Sequence, residues 1–304
     1  MSFSQNLKPK LKREQPKMEA LQNLKDFSSS EIETVRSLQR LAYDCALWTQ
    51  QNLSIGDSEK DAVNLMERYL EKRGVQNFFH KPFAWFGDRS SFTGFKQAYK
   101  AKAFGFESFR NPLPHFGFDF LPSNRKLENN MGVILDLAPA LNGLVCDIGY
   151  SYFQGESETH QKMIQVLNEC RELILYLVKN KKTLGEVYKR VDELILGHGF
   201  KNCHELYPLG VLGHKVGHFN SKNRFKLSFM RFSIDSVLFL AKELVTSPFV
   251  KAEAPQSFSP GLWAMEPHFG NDEFGVKFEE ILVVTEDDAF WLDNDLPHVI
   301  HKKP

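Results

Sequence analysis

The stretch Gly132-Val133-Ile134-Leu135-Asp136-Leu137-Ala138-Pro139-Ala140-Leu141-Asn142-Gly143-Leu144-Val145-Cys146-Asp147-Ile148 decides how the chain reads. Two apolar runs flank Asn142-Gly143, the residue pair best suited to the left-handed conformations of a two-residue hairpin turn. Such a turn places Leu141 opposite Leu144. Counting outward, Asp147 falls opposite Ala138, on the same face as Asp136, and a loop one residue longer breaks that parity. Diagonal cross-strand neighbours lie about 7–8 Å apart at the backbone, so the two carboxylates can converge on shared cations. A buried carboxylate without a partner is costly. A single strand aspartate is usually salt-bridged or at an edge, but two on one hairpin face tilt the reading toward metal.

Further along the chain come Gly213-His214-Lys215-Val216-Gly217-His218, then Ala264-Met265-Glu266-Pro267, then Gly275-Val276-Lys277-Phe278-Glu279-Glu280. Each sets a potential ligand among apolar or glycine neighbours. With the hairpin pair, they make four carboxylates and one imidazole, a donor set suited to two divalent ions such as Mn²⁺, Co²⁺, Zn²⁺ or Fe²⁺, with Mn²⁺ favoured by the oxygen excess.

Around these motifs the chain alternates helical and extended grammar. Ser30 and Glu33 have capping-box spacing, and Ile32, Val35, Leu38, Ala42 and Cys45 recur at helical intervals. A second helix starts near Asp57-Ser58 and stops at Gly74. Another long amphipathic run from Ser157 to Asn180 is followed by Thr183 and Glu186, again at capping-box spacing, with Gly197 and Gly199 closing that helix. A unit of long helix, turn, capped helix and presumed strand therefore occurs twice. Val276 to Thr285 reads as one buried strand, and helices and antiparallel strands segregate in blocks, which gives an α+β class.

The composition sets further bounds. The 304 residues are 42% hydrophobic with 27 Phe, so a large aromatic core is expected. Lys+Arg and Asp+Glu balance at 38 each, which removes the charge footprint of a general nucleic-acid binder. No apolar run reaches membrane-spanning length and the N-terminus lacks a secretory apolar segment, so the expected location is cytoplasmic, without a membrane partner. Cys45, Cys146, Cys170 and Cys203 lack CxxC spacing and read as reduced thiols. Residues 1–29 are polar and Lys-rich and read as a disordered leader, with residues 30–304 as the folded domain.

The ordered motifs resemble the pita-bread metallohydrolases, the family that includes methionine aminopeptidase, Xaa-Pro aminopeptidase, prolidase and creatinase. That pattern runs Asp, eleven residues to a second Asp, Gly-His-x-[Ile/Val]-Gly, Glu-Pro, and Gly-Val-x-[Ile/Phe]-Glu-[Asp/Glu]. Asp136, Asp147, His214, Glu266 and Glu279 meet it in order over roughly residues 30 to 295. The resemblance implies a pita-bread fold, a pseudo-twofold curved antiparallel sheet flanked by helices, and explains the repeated helix pair. It implies that Asp136 holds one ion, His214 and Glu266 the other, and Asp147 and Glu279 both. It implies Glu266 as the proton shuttle and a peptide cut near its free N-terminus, of Xaa-Pro aminopeptidase or dipeptidase type. The alternatives are a creatinase-like hydrolase of a small amide and a pita-bread module that binds peptides or proteins without catalysis. A homodimer is compatible with the resemblance.

Other histidines are weighed on the same footing. His115, in Pro112-Leu113-Pro114-His115-Phe116, resembles the family's substrate-side histidine. His80, in Phe79-His80-Lys81-Pro82-Phe83, reads first as a packed structural histidine and second as a pocket residue. Relatives with Xaa-Pro specificity carry a histidine where this chain has Gly210, and most carry another where it has Ser221. His218 lies near enough in sequence to Ser221 to serve instead. The usual Glu-Pro-Gly is Glu266-Pro267-His268, and the usual Asp-Ile-Thr-Arg is Asp147-Ile148-Gly149-Tyr150.

Overall fold

The computed structural model describes residues 24, 26–75, 77–95, 119–207, 210–219, 228–229, 231–233, 235–236 and 249–300. Most of the leader, the segment around His115, and Ser221 lie outside them. The first helix, α1 (Ser29–Asn52), is capped by Ser28 rather than Ser30: the Ser28 hydroxyl accepts from Glu31 N, and the Glu31 carboxylate accepts from Ser28 N. Both serines have a glutamate three residues on, so spacing alone does not choose between them. Ser28 wins because Phe27, just before it, and Ile32, four residues after it, are buried in one cluster, the arrangement of a hydrophobic staple. Core packing thus begins before position 30, with Leu24 and Phe27 both buried.

Helix α2 (Glu59–Glu71) carries its own capping box, Ser58 with Asp61. Four strands follow: β1 (Asn77–Phe86), β2 (Met131–Leu141), β3 (Leu144–Val145) and β4 (Ile148–Gln154). Asn142 and Gly143 both have positive φ, 52° and 78°, as a tight hairpin turn requires. The pairs Leu141↔Leu144, Ala140↔Val145, Leu137↔Ile148 and Asp136↔Gly149 keep one register throughout, although Cys146 and Asp147 interrupt the second strand. The parity read from the turn therefore holds, and Asp147 sits beside Ala138, diagonal to Asp136.

The second helix pair is α3 (Glu158–Lys179) and α4 (Leu184–Gly197), the latter with the expected Thr183–Glu186 box. The remaining strands are β5 (Lys201–Asn202), β6 (Gly213–Val216), β7 (Ser228–Phe229), β8 (Phe232–Ser233), β9 (Gly261–Met265), β10 (His268–Gly270), β11 (Gly275–Lys277), β12 (Glu280–Val284) and β13 (Ala289–Trp291), before a short α5 (Pro297–Ile300). Strands β7, β8, β1, β2 and β3 join in that order with β4 on β2; β13, β12, β9 and β6 form a second sheet; β11, β10 and β5 form a third. The segment 276–285 is two strands, not one, because at Glu279 the backbone leaves its own ladder and pairs with Gly149 across the gap between sheets.

The β9–β12 ladder is buried on both faces. Leu262, Ala264, Ile281 and Val283 pack with the α1–α2 side, while Trp263, Met265, Leu282 and Val284 pack with the α3–α4 side. Strand alternation delivers successive residues to opposite helix pairs, which is why these strands are apolar at every position. All four cysteines are free and buried. Among the described residues, no helix is long and apolar enough to cross a membrane.

Candidate metal centre

The sheet edges converge on a cavity of about 150 Å³. Its floor is polar, formed by Asp136, Asp147, His214, Glu266, Glu279, His80 and Lys277, and its walls are aromatic, including Phe79, Phe83, Trp85, Tyr207 and Phe232. Asp136 arrives from β2 and Asp147 from the gap between β3 and β4. His214 lies on β6 beside Ala264, Glu266 follows the end of β9, and Glu279 precedes β12. The hydroxyl of Tyr43 on α1 donates to the Glu279 carbonyl at 2.7 Å and fixes the backbone from which that carboxylate projects.

The five ligands expected from sequence thus line one cavity, and the four carboxylates are at most 6% exposed. His218 does not line it: its ring stacks on Phe27 and its Nε2 meets Glu31 at 2.8 Å, so it is a half-exposed surface contact. His115 lies outside the described residues. His268 is fully buried and donates through Nε2 to the Ser90 carbonyl at 2.6 Å; burial pulls its pKa down to about 3, which keeps it a neutral structural ring.

Two further residues enter the centre: His80, which the sequence reads first as structural, and Lys277, which the sequence does not single out. His80 pairs with Ala138 across β1 and β2, and Ala138 is flanked on its other side by Asp147, so both side chains share a face. Its Nε2 lies 3.3 Å from Asp136 Oδ1 and 3.2 Å from Asp147 Oδ1. Lys277, at the end of β11, places Nζ 2.6 Å from Asp136 Oδ2, 2.9 Å from Glu279 Oε2 and 3.0 Å from Glu266 Oε2. Gly149 makes room for it: a Cβ there would stand 2.9 Å from Lys277 Cε. The signal for Lys277 was an ionisable residue inside the apolar run Gly275–Phe278, two positions from Glu279 and hence on its face.

The charges are consistent with this crowding. Burial opposes the imidazolium forms of His80 and His214, but Asp147 and its neighbours outweigh burial and raise both pKa values. Lys277 is likewise driven up, against desolvation, by Asp136 and Glu279. Burial raises the Asp147 pKa, but His80 and His214 prevail and hold it low, while burial and the Asp147 charge push Glu279 well above the usual carboxylate range. The crowding bears hardest on Glu279, whose charged form burial and the neighbouring Asp147 carboxylate disfavour.

The donor atoms suit divalent ions. Those of His80, Asp136 and Asp147 lie within 4.8 Å of one another, as do those of Asp147, His214 and Glu279. Asp136 Oδ1 is buried and accepts no hydrogen bond, an unmet acceptor aimed into the cavity. Asp147 turns Oδ1 toward His80 and Oδ2 toward His214, as a bridging carboxylate would.

The fold is shared with solved peptidases. An X-Pro aminopeptidase from Thermotoga maritima superposes with a TM-score of 0.63 at 18% identity, covering 90% of this chain and 63% of that one. A prolidase from Pyrococcus furiosus gives 0.61 at 17%, covering 90% and 66%. A methionine aminopeptidase from Rickettsia prowazekii gives 0.57 at 13%, covering 88% and 99%. The α+β pita-bread architecture expected from the motifs is therefore the one observed. In sequence, the chain is 25% identical over 207 residues to an uncharacterized peptidase of Staphylococcus haemolyticus, spanning 67% of this chain and about half (51%) of that relative. Residues 33–286 match metallopeptidase family M24, and the chain belongs to that family.

Proposed function

We propose that this chain hydrolyses a peptide bond near a free N-terminus, in the manner of Xaa-Pro aminopeptidases and dipeptidases, using divalent ions held by Asp136, Asp147, His214, Glu266 and Glu279. The observation that carries this reading is the convergence of those five side chains on an aromatic-walled cavity where the buried acceptor Asp136 Oδ1 accepts no hydrogen bond. Bound ions supply Lewis-acid polarisation of the scissile carbonyl and a water acidic enough to attack near neutral pH. The chain's own residues do the rest. Glu266, with one oxygen held by Lys277, is placed to take the proton of the attacking water and pass it to the leaving amine. Lys277 balances the carboxylate charge and orients Asp136 and Glu279. The aromatic walls suit a compact apolar side chain or a proline ring.

The test is metal content by mass spectrometry together with hydrolysis of Xaa-Pro, Met-Xaa and unrelated N-terminal peptides in Mn²⁺, Co²⁺ and Zn²⁺. Turnover by the native chain and its loss by 10³-fold or more in Asp147→Ala and Glu279→Ala supports the proposal. Bound metal without peptide turnover moves the substrate to a small amide. Failure to bind any divalent ion refutes catalysis and leaves a peptide-binding module.

A further inference from the structure

The position formed by Asp136 and Asp147 differs from the one formed by Asp147, His214 and Glu279 in what else reaches it. Lys277 donates to Asp136 Oδ2 at 2.6 Å, which leaves Oδ1 as the Asp136 oxygen open to a cation without competition from the ammonium. That oxygen accepts no hydrogen bond, and His80 Nε2 lies 3.3 Å from it. The same nitrogen is 3.2 Å from Asp147 Oδ1. Ligands arranged tetrahedrally at about 2.0–2.1 Å from an ion stand roughly 3.3–3.4 Å apart, so these spacings, which let His80 Nε2 hydrogen-bond Asp147 without an ion, also fit ligands around one cation.

The imidazole is prepared for ligation. His80 Nδ1 lies 3.1 Å from the Lys81 carbonyl, and His214 Nδ1 lies 3.0 Å from the Lys215 carbonyl. In both, the carbonyl requires Nδ1–H and fixes the ring so that Nε2 points at the carboxylates, the outer hydrogen bond that orients metal-ligating histidines. The two rings are thus held alike, on either side of Asp147.

We propose that His80 is a metal ligand, supplying through Nε2 the donor that Lys277 withholds at Asp136, so that each of the two ion positions bridged by Asp147 is closed by one imidazole. This rests on the metal-dependent reading above and deepens it. Its consequence is a change in metal preference: a second nitrogen donor moves the centre from Mn²⁺ toward Co²⁺ and Zn²⁺.

The test is binding, not turnover. Co²⁺ and Zn²⁺ are titrated calorimetrically into the metal-free chain and into His80→Ala, His80→Asn and Lys277→Met, with stoichiometry checked by mass spectrometry. Proton spectra of the Co²⁺-loaded native chain are recorded alongside, because each ligating imidazole gives one strongly shifted, exchangeable Nδ1–H signal. Two ions per native chain, two shifted N–H signals, and loss of one signal with at least tenfold weaker binding of one ion in His80→Asn are the expected results. The native spectrum keeps the test valid if the alanine variant fails to fold. Two ions bound with a single shifted N–H, or with unchanged affinities in the His80 variants, overturns the assignment of His80 alone. One ion per native chain rising to two in Lys277→Met also overturns it, since Lys277 would then fill the first position. Failure of any ion to bind overturns the underlying function instead.

Discussion

Replacing Lys277 by Met removes one charge while keeping the unbranched stem that packs against Gly149. In the metal-free chain the effect is large. Lys277 is 1% exposed, and its ammonium meets three carboxylates at 2.6 to 3.0 Å, each of them buried. Removing one partner of a buried ion pair costs about 3–5 kcal/mol, because the abandoned charge remains buried. At about 2–4 °C per kcal/mol for a chain of this size, the melting temperature of metal-free Lys277→Met should fall by roughly 6–20 °C. Divalent ions change this. They bind only the folded centre and supply the missing positive charge, so the gap between native and variant should shrink by more than half at saturating Zn²⁺ or Co²⁺. Thermal unfolding after chelation, and again with metal, measures both numbers. Equal losses in the two states, or a metal-free loss under about 1 kcal/mol, would refute the view that Lys277 neutralises the ligand cluster.

Two further predictions address neighbouring features. In Gly149→Ala the new Cβ would stand within 3.0 Å of the Lys277 stem, which three ion pairs hold in place, so the variant should lose about 1–3 kcal/mol and bind metal more weakly, read by denaturant unfolding and calorimetry. His160, packed between Phe153 and Phe274, has its pKa lowered by burial from 6.5 to about 4, so the fold holds it neutral. The unfolded chain then takes up this proton first: the contribution is fully present above pH 6.5 and is lost as pH falls toward 4, up to about 3 kcal/mol. His160→Phe should flatten the stability–pH curve between those values; an unchanged slope would show that another group governs acid unfolding.

How much of this was legible in the chain differs from element to element. The hairpin register followed from Asn142-Gly143, because a two-residue turn leaves one pairing and every later pair inherits it. The Thr183–Glu186 cap was equally local. At the first helix two serines satisfied the same spacing, and only the burial of Phe27 against the core separated them. The strand over 276–285 was read as continuous because its apolar pattern is continuous; the break at Glu279 comes from a backbone bridge to Gly149, which lies far away in sequence.

The five ligand residues and their shared centre were expected from the ordered motifs, but not the further residues that join them. His80 faces the aspartates because two irregularities in β1, between Phe78 and His80 and between His80 and Phe83, reset its alternation against β2. The sequence reads this residue first as structural because its neighbours are aromatic, and period-two counting has no access to shifts that aim it at the aspartates. His218 shows the converse: four residues from His214, it leaves the cavity after β6 ends and meets Glu31 instead. The helices, the hairpin with its paired aspartates, and the ligand-bearing motifs follow from local sequence, since each depends on neighbours a few residues apart. That Lys277 and His80 join the carboxylates and His218 does not emerges from the folded arrangement, because those contacts depend on how separate sheets register and on whether a neighbour, here Gly149, leaves space for a side chain.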